Sequence, residues 1–160
     1  SEQLVTRLFE TEVAEIMDGI VEIVTIARDP GSRSKISVRS KNPKVDPVGS
    51  CVGVNGSRVG AVVSELRGEK IDIVRYSDNS AEFIVNALAP SKVVSVEADD
   101  DEKTAKVVVP DNHLSLAIGR AGQNAKLAAK LTGYRIDIKS ETQAKELEEK
   151  EKLSSSETEQ

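Results

Sequence analysis

Shifted by 66 residues, the chain overlays itself. Gly53-Val54-Asn55-Gly56 falls on Gly119-Arg120-Ala121-Gly122 and Asp46 on Asn112, each seven residues before its first glycine. Past the loop the offset becomes 65, and Leu66-Arg67-Gly68-Glu69-Lys70-Ile71-Asp72-Ile73 falls on Leu131-Thr132-Gly133-Tyr134-Arg135-Ile136-Asp137-Ile138. Matching at such a period indicates one duplicated unit. A length of 160 residues would by default suggest a single domain, but the repeat divides it into two of about 65 to 75 residues. Cores that small are marginal alone, so the two are expected to pack together. The boundaries expected are 1–76 and 77–140, followed by an acidic tail over 141–160. That tail lacks apolar periodicity and reads as a frayed helix passing into disorder.

The elements follow from periodicity. Leu4, Leu8, Val13 and Ile16 recur at helical spacing and predict one amphipathic helix over 3–17, stopped by Gly19. The β-branched run Ile20 to Ala27, the turn Asp29-Pro30-Gly31-Ser32 and the alternating Ile36 and Val38 predict a hairpin. Asp46-Pro47 predicts a helix start, with a second helix over about 57–67 closed by a left-handed Gly68 and a strand over 70–75. The second unit repeats the order. Asn79 or Ser80 caps a helix ending near Pro90, and strands are expected over 93–97 and 104–109. Asn112 is expected to cap the next short helix, followed by a helix over 123–131 ended by Gly133 and a strand over 134–139. The predicted class is α+β, each unit a three-stranded sheet packed against helices in the order α-β-β-α-α-β.

Both Gly-x-x-Gly turns join two helices. Glycine permits positive φ and lets another chain's phosphate approach the backbone closely, and the helix that starts there offers free amides and a positive dipole end. Gly53, Gly56, Gly119 and Gly122 therefore form candidate backbone-binding turns, with Arg120 adding a mobile charge beside Ala121, Gln123 and Asn124. The first loop carries Val54 and Asn55 in place of a basic residue. Asn55 and Ser57 can still hydrogen-bond there, and Arg58 lies one helical step in, so backbone amides with a nearby charge can substitute.

The net charge of −5 hides a pattern. Residues 31–75 hold nine basic and four acidic groups, whereas 1–30 hold two and seven. Arg28, Arg33, Lys35, Arg39, Lys41, Lys44 and Arg58 read as a basic face or, equally, as a solvated hairpin edge. Two Phe, two Tyr and no Trp leave little for aromatic stacking of bases, which favours a groove lined by aliphatic side chains. Phe9 and Phe83 read as core, and Tyr76 and Tyr134 as either core or contact. His113, the single histidine, is expected to have a surface or capping role, and the single Cys51 to be buried and inert. The acidic run 99–102 reads as a solvated turn, without the ligand spacing of a metal site. No cofactor is expected. The chain carries no leader pattern and no membrane-length apolar run, so the cytoplasm is expected. With no Met at position 1 it reads as a piece of a longer protein.

The order of elements resembles the prokaryotic (type II) KH domain, an RNA-binding module. Asp29 to Ile36, Asp46 to Gly53, Glu65 to Val74, Leu114 to Gly119 and Gly122 to Ala125 are similar to the tandem KH region of the NusA family of bacterial transcription factors, over roughly residues 4–140. The resemblance implies two RNA-binding modules whose loops clamp about four nucleotides each. It places Gly53, Val54, Asn55, Gly56, Ser57, Arg58, Gly119, Arg120, Ala121, Gly122, Gln123, Asn124, Arg33 and Lys35 at single-stranded RNA. It further implies a monomer that touches RNA polymerase and other transcription factors through the intact protein, in pausing, termination and antitermination, with an amino-terminal polymerase-binding domain and an OB-type barrel lying outside this piece. Two rivals stay open. A phosphate-handling enzyme would need the lysine-bearing or dinucleotide-type glycine loops, and both are missing. A protein-docking or ribosome-associated module would use the helix faces and the acidic tail.

Overall fold

A computed structural model describes residues 1–158. Helix α1 (Glu2–Glu12) starts at Ser1, whose hydroxyl accepts from the Leu4 amide. It is not continuous to residue 17. Val13 is extended (φ −120°, ψ 103°), and a short α2 (Ala14–Met17) follows. The break allows Val5, Phe9 and Val13 to enter one core, all fully buried.

Strands β1 (Val21–Asp29) and β2 (Arg33–Ser40) pair antiparallel, with a register shift between Ile23 and Thr25. Strand β3 (Lys70–Arg75) then joins β2 in parallel, Lys35 facing Asp72 and Ile36 facing Ile73. Parallel neighbours need a crossover. Here it is α3 (Pro47–Val52), the Gly-x-x-Gly turn and α4 (Ser57–Glu65). The second unit has the same plan, with α5 (Ser80–Ala87), β4 (Ser95–Asp99), β5 (Thr104–Val109), α6 (Leu114–Ile118), α7 (Gln123–Thr132) and β6 (Arg135–Ser140). Again β5 is central, antiparallel to β4 and parallel to β6.

The first sheet is a middle layer. One face, with Val21, Ile36 and Val38, packs on α1, α3 and α4. The other contributes Ala27 and Val74 to the second unit's core beside Phe83, Ile84, Leu127 and Leu131, and α7 lies against β1 and β2. Each such buried aliphatic or aromatic side chain contributes about 1.5–3 kcal/mol, so the shared core joins the units directly. Phe9 and Phe83 are core, as expected; Tyr76 meets the Phe83 ring edge-on at 5.0 Å. Cys51 is fully buried, and loss of solvation pushes its thiol up to about 12.

Four local expectations are corrected. Helix α4 ends at Glu65 rather than 67; Gly68 is left-handed as expected (φ +91°), but Arg67 before it is left-handed too (φ +57°), and Gly68 donates back to the Val63 carbonyl in a Schellman arrangement. Strand β4 begins two residues later than the apolar run suggested. Asn112 caps nothing; its neighbour Asp111 instead accepts from the Thr142 amide and hydroxyl. Residues 159 and 160 lie outside the described residues, and the tail, read as a frayed helix passing into disorder, is helical throughout its described part as α8 (Glu141–Thr158). Its first turn is fixed by a reciprocal pair, Gln143 N–H to Ser140 Oγ at 3.1 Å and Ser140 N–H to Gln143 Oε1 at 3.0 Å, which is a capping box.

Candidate nucleic-acid interface

The two turns have nearly the same backbone. Gly53 and Gly119 hold φ of +77° and +80°. A Cβ on Gly53 would stand 2.9 Å from the Arg58 amide nitrogen, and one on Gly119 2.7 Å from that of Asn124. The helix that follows approaches the first glycine this closely in both units, so that glycine is demanded from within. The third loop residue is left-handed in each, Asn55 at φ 53° and Ala121 at φ 55°. Two residues past the second glycine, a side chain reaches back to the end of the preceding helix. Arg58 donates to the Ser50 carbonyl at 2.8 Å, and Asn124 to that of Ala117 at 2.9 Å.

Beside each turn lies a groove, and the same six positions line both. In the first they are Gly49, Ser50, Gly53, Val54, Ser57 and Arg58. In the second they are Ser115, Leu116, Gly119, Arg120, Gln123 and Asn124. The opposite walls differ. Glu15, Val45 and Asp46 close the first groove, whereas Ser32, Arg33 and Lys70 of the first unit, with Pro90, close the second. The second groove is thus built by both units, and Gln123 secures it, donating to Asp29 Oδ2 at 2.8 Å and Ser32 Oγ at 2.7 Å.

Charge at the loops is unequal. Val54 is 80% exposed at the first tip. Arg58 is held by Glu15 at 2.6 Å as well as by Ser50. Burial would raise the Glu15 carboxyl, but the bonds from Arg58 and Ser50 outweigh it and bring the carboxyl below its usual value. The substitute charge expected of Arg58 is therefore engaged. At the second tip Arg120 is exposed and makes no ion pair or side-chain hydrogen bond among the described residues. Lys126 leans over the loop, its Nζ 3.3 Å from the Ala121 carbonyl.

The basic face read from residues 28–58 is corrected as well. Lys35 is fully buried, its Nζ bonded to Asp72 at 2.9 Å and to the Ala89 carbonyl of the second unit at 3.0 Å. Burial pushes this amine below its usual value, against the pull of Asp72. Arg33 grips the same carboxylate in bidentate fashion at 3.0 and 2.9 Å, which leaves it at the groove wall with its guanidinium occupied. Arg28 pairs with Glu69, while Arg39 and Lys41 pair with Glu22. Of the seven, only Lys44 has no ion pair among the described residues. Among the other candidates, Asn124 is buried and structural, and Gln123 is an inter-unit tie. Val54, Asn55, Ser57, Arg120 and Ala121 are exposed.

Lys70, Ser115 and Leu116, the last 43% exposed, were not among the binding residues expected from the sequence. The 66-residue offset extended back from the loops into the preceding helices finds the latter two. His113 takes a structural part, its Nδ1 accepting from the Lys92 amide at 3.0 Å. No group of three metal-ligating side chains occurs among the described residues, and no described helix is long and apolar enough to cross a membrane.

Comparison with known proteins agrees with this geometry. The NusA-like first KH domain family matches residues 1–76, and the NusA-like second KH domain family matches residues 80–146. The transcription termination/antitermination protein NusA of Halalkalibacterium halodurans is 63% identical over 144 residues, 90% of this chain and 38% of that protein. Its Bacillus subtilis namesake is 63% identical over 90% of this chain and 39% of its own length. That of Thermus thermophilus is 51% identical over 92% and 38%. This chain thus spans about two fifths of the length of these curated relatives. The solved structure of APE1850 superposes with a TM-score of 0.61 over 86% of this chain and 96% of that one; at 21% identity this likeness concerns the fold alone. Two KH units in tandem, each recognised by its own NusA-like family, make this chain a member of the NusA family of transcription termination/antitermination proteins, as its tandem KH region.

Proposed function

We propose that the chain binds single-stranded RNA along the two Gly-x-x-Gly grooves. The observation that carries this is the recurrence of six equivalent positions around a groove in both units, one of them closed by Lys70 and Arg33 and tipped by a free Arg120. Sugar and phosphate lie at the glycine turn, and bases lie against aliphatic side chains such as Leu116. This is binding chemistry, without a catalytic group. In the intact protein the RNA is the nascent transcript, and the polymerase and other transcription factors are met in the cytoplasm through the whole molecule during pausing, termination and antitermination. The chain acts as a monomer.

A fluorescence anisotropy titration against single-stranded and duplex RNA over a range of salt tests the reading. The single strand binds better, with log affinity falling against log salt at about −2 to −3.5, from three to five neutralised phosphates at about 0.7 each. Equal affinity for a perfect duplex rejects it, and so does a salt slope near zero.

A further inference from the structure

Resting on that RNA reading, we propose a second phosphate-tracking surface beyond the bridge from Gln123 to Ser32, on the other side from the groove. A pocket there is lined by Arg28, Asp29, Arg120, Lys126, Leu127 and Lys130. Lys130 is shared with an adjoining trough whose floor is residues 23–26 of β1 and whose far wall is α1, with Arg7 and Thr6. Together they form a path from the second loop along the first sheet. Strand β1 is an edge strand, paired only with β2.

Duplication supplies the internal comparison. Counted from the first helical residue, Ser57 or Gln123, the fourth and eighth positions are Gly60 and Ser64 in α4 but Lys126 and Lys130 in α7. With Arg120 in place of Val54, the second unit has three cations along this face where the first has none. Lys126 and Lys130 are one helical turn apart, about 6 Å along the axis, and α7 from Gln123 to Lys130 covers about 10 Å. Arg7 and Lys130 are exposed and have no ion-pair partner among the described residues. The opposing carboxylates are Asp29, already bonded by Gln123, and Glu2 and Glu10 on the α1 wall. An RNA strand leaving the second groove at Arg120 therefore continues past Lys126 and Lys130 to Arg7, held by its phosphates without base readout.

The test compares the wild-type chain with Arg7→Glu/Lys130→Glu, two exposed changes away from the groove lining. Each is titrated with single-stranded RNA of about 4 and about 12 nucleotides, the shorter matching what one KH loop clamps. Wild type gains affinity with length. The variant keeps wild-type affinity for the short oligonucleotide, loses about tenfold for the long one, and shows a salt slope shallower by about 1.4, two contacts at about 0.7 each. Unchanged affinity for the long oligonucleotide, or equal losses for both lengths, overturns the second surface and leaves the groove reading standing. Failure of the wild type to bind either oligonucleotide rejects the groove reading, and this surface falls with it.

Discussion

At equivalent places in the two units stand Val54 and Arg120, Glu69 and Tyr134, Lys35 and Lys106. The turns and strand registers around these pairs match, but the side chains behave differently. Lys35 and Lys106 both sit across a parallel pair from an aspartate, Asp72 or Asp137. The first is sealed beneath the second unit, whereas the second is exposed and Asp137 pairs with Lys139 instead. Glu69 and Tyr134 each tie a strand start to the neighbouring hairpin turn. Glu69, fully buried, accepts from Arg28, the Gly31 amide and Ser34. Tyr134 donates to Asp100 at 2.6 Å and lies under the Lys103 amine. In the first unit, Arg28, Arg33 and Lys35 are engaged internally, in holding a sheet that is covered on both faces. In the second, Lys139 and Lys103 are engaged, but Lys106, Arg120 and Lys130 make no ion pair among the described residues. Duplication fixed the scaffold, and the position of each copy in the stack decides what its charges do.

The largest expected difference concerns the loops. Replacing Arg120 and Ala121 by aspartates turns attraction for phosphate into repulsion, which costs several kcal/mol of RNA affinity at low salt. Both positions are exposed, and aspartate tolerates the left-handed conformation of position 121 better than alanine does, so the fold stays within about 0.5–1 kcal/mol of wild type. The same change at Val54 and Asn55 weakens binding less, since no free cation is removed and Glu15 already faces that groove. Anisotropy with melting curves as the control measures both. A larger loss from the first loop would invert the comparison.

Next in size is the pair of turn anchors. Glu69→Gln leaves Arg28 without its charge partner and costs about 3 kcal/mol; Tyr134→Phe removes one hydrogen bond at about 1 kcal/mol. For a chain of this length each kcal/mol lowers Tm by about 2–4 °C. The anchors also differ with pH. Burial raises the Glu69 carboxyl, but Arg28, the Gly31 amide and Ser34 outweigh it, so in the folded state it lies below its usual value. Asp72 is likewise lowered, Arg33 and Lys35 outweighing its burial. A depressed carboxylate contributes stability that is fully present above the unfolded pKa of about 4 and is lost as pH falls through the folded value. Denaturant midpoints therefore drop on acidification below about pH 4, with a shallower drop in Glu69→Gln than in Tyr134→Phe. Parallel acid limbs in the two variants would show that Glu69 is not the group being titrated.

Much of this fold was legible because its signals are local or repeat. The offset located both turns, and β3 and β5 were read at their observed limits from alternation and turn residues. Lys35 was misread because what decides its environment is distant. Asp72 is 37 residues away, and the cover over the amine is the Ala89 carbonyl of the other unit. The extent of the tail's helix was missed for another reason. Apolar periodicity misses a helix that buries little, and α8 is instead started by Ser140 with Gln143 and by Asp111 across the unit. Ser140-x-x-Gln143, with Glu-to-Lys spacings of four at 141–145, 146–150 and 148–152, was a helix signal in plain sight. The grooves' opposite walls were illegible, since the second is made by a different unit.

The smallest expected effect isolates the backbone from the charges. Asn55 and Ala121 share a left-handed conformation, φ 53° and 55°, which asparagine adopts more readily because its short side chain can bond locally, while the alanine Cβ crowds the following carbonyl. The second loop therefore carries strain that the first avoids. Ala121→Asn should stabilise the chain by about 0.5–1 kcal/mol, and Asn55→Ala should destabilise it by a similar amount. Each shift is about 1–4 °C in Tm, and the double exchange should return close to wild type, because the two positions lie in separate turns with no shared contact. Neither change alters a charge, so RNA affinity should move by less than twofold in Ala121→Asn and by no more than one lost hydrogen bond, about 0.5–1.5 kcal/mol, in Asn55→Ala. Calorimetric melts of the two single variants and the double variant decide it: shifts of the same sign in both singles would mean that the two turns, alike as their dihedral angles are, are not held by the same local balance.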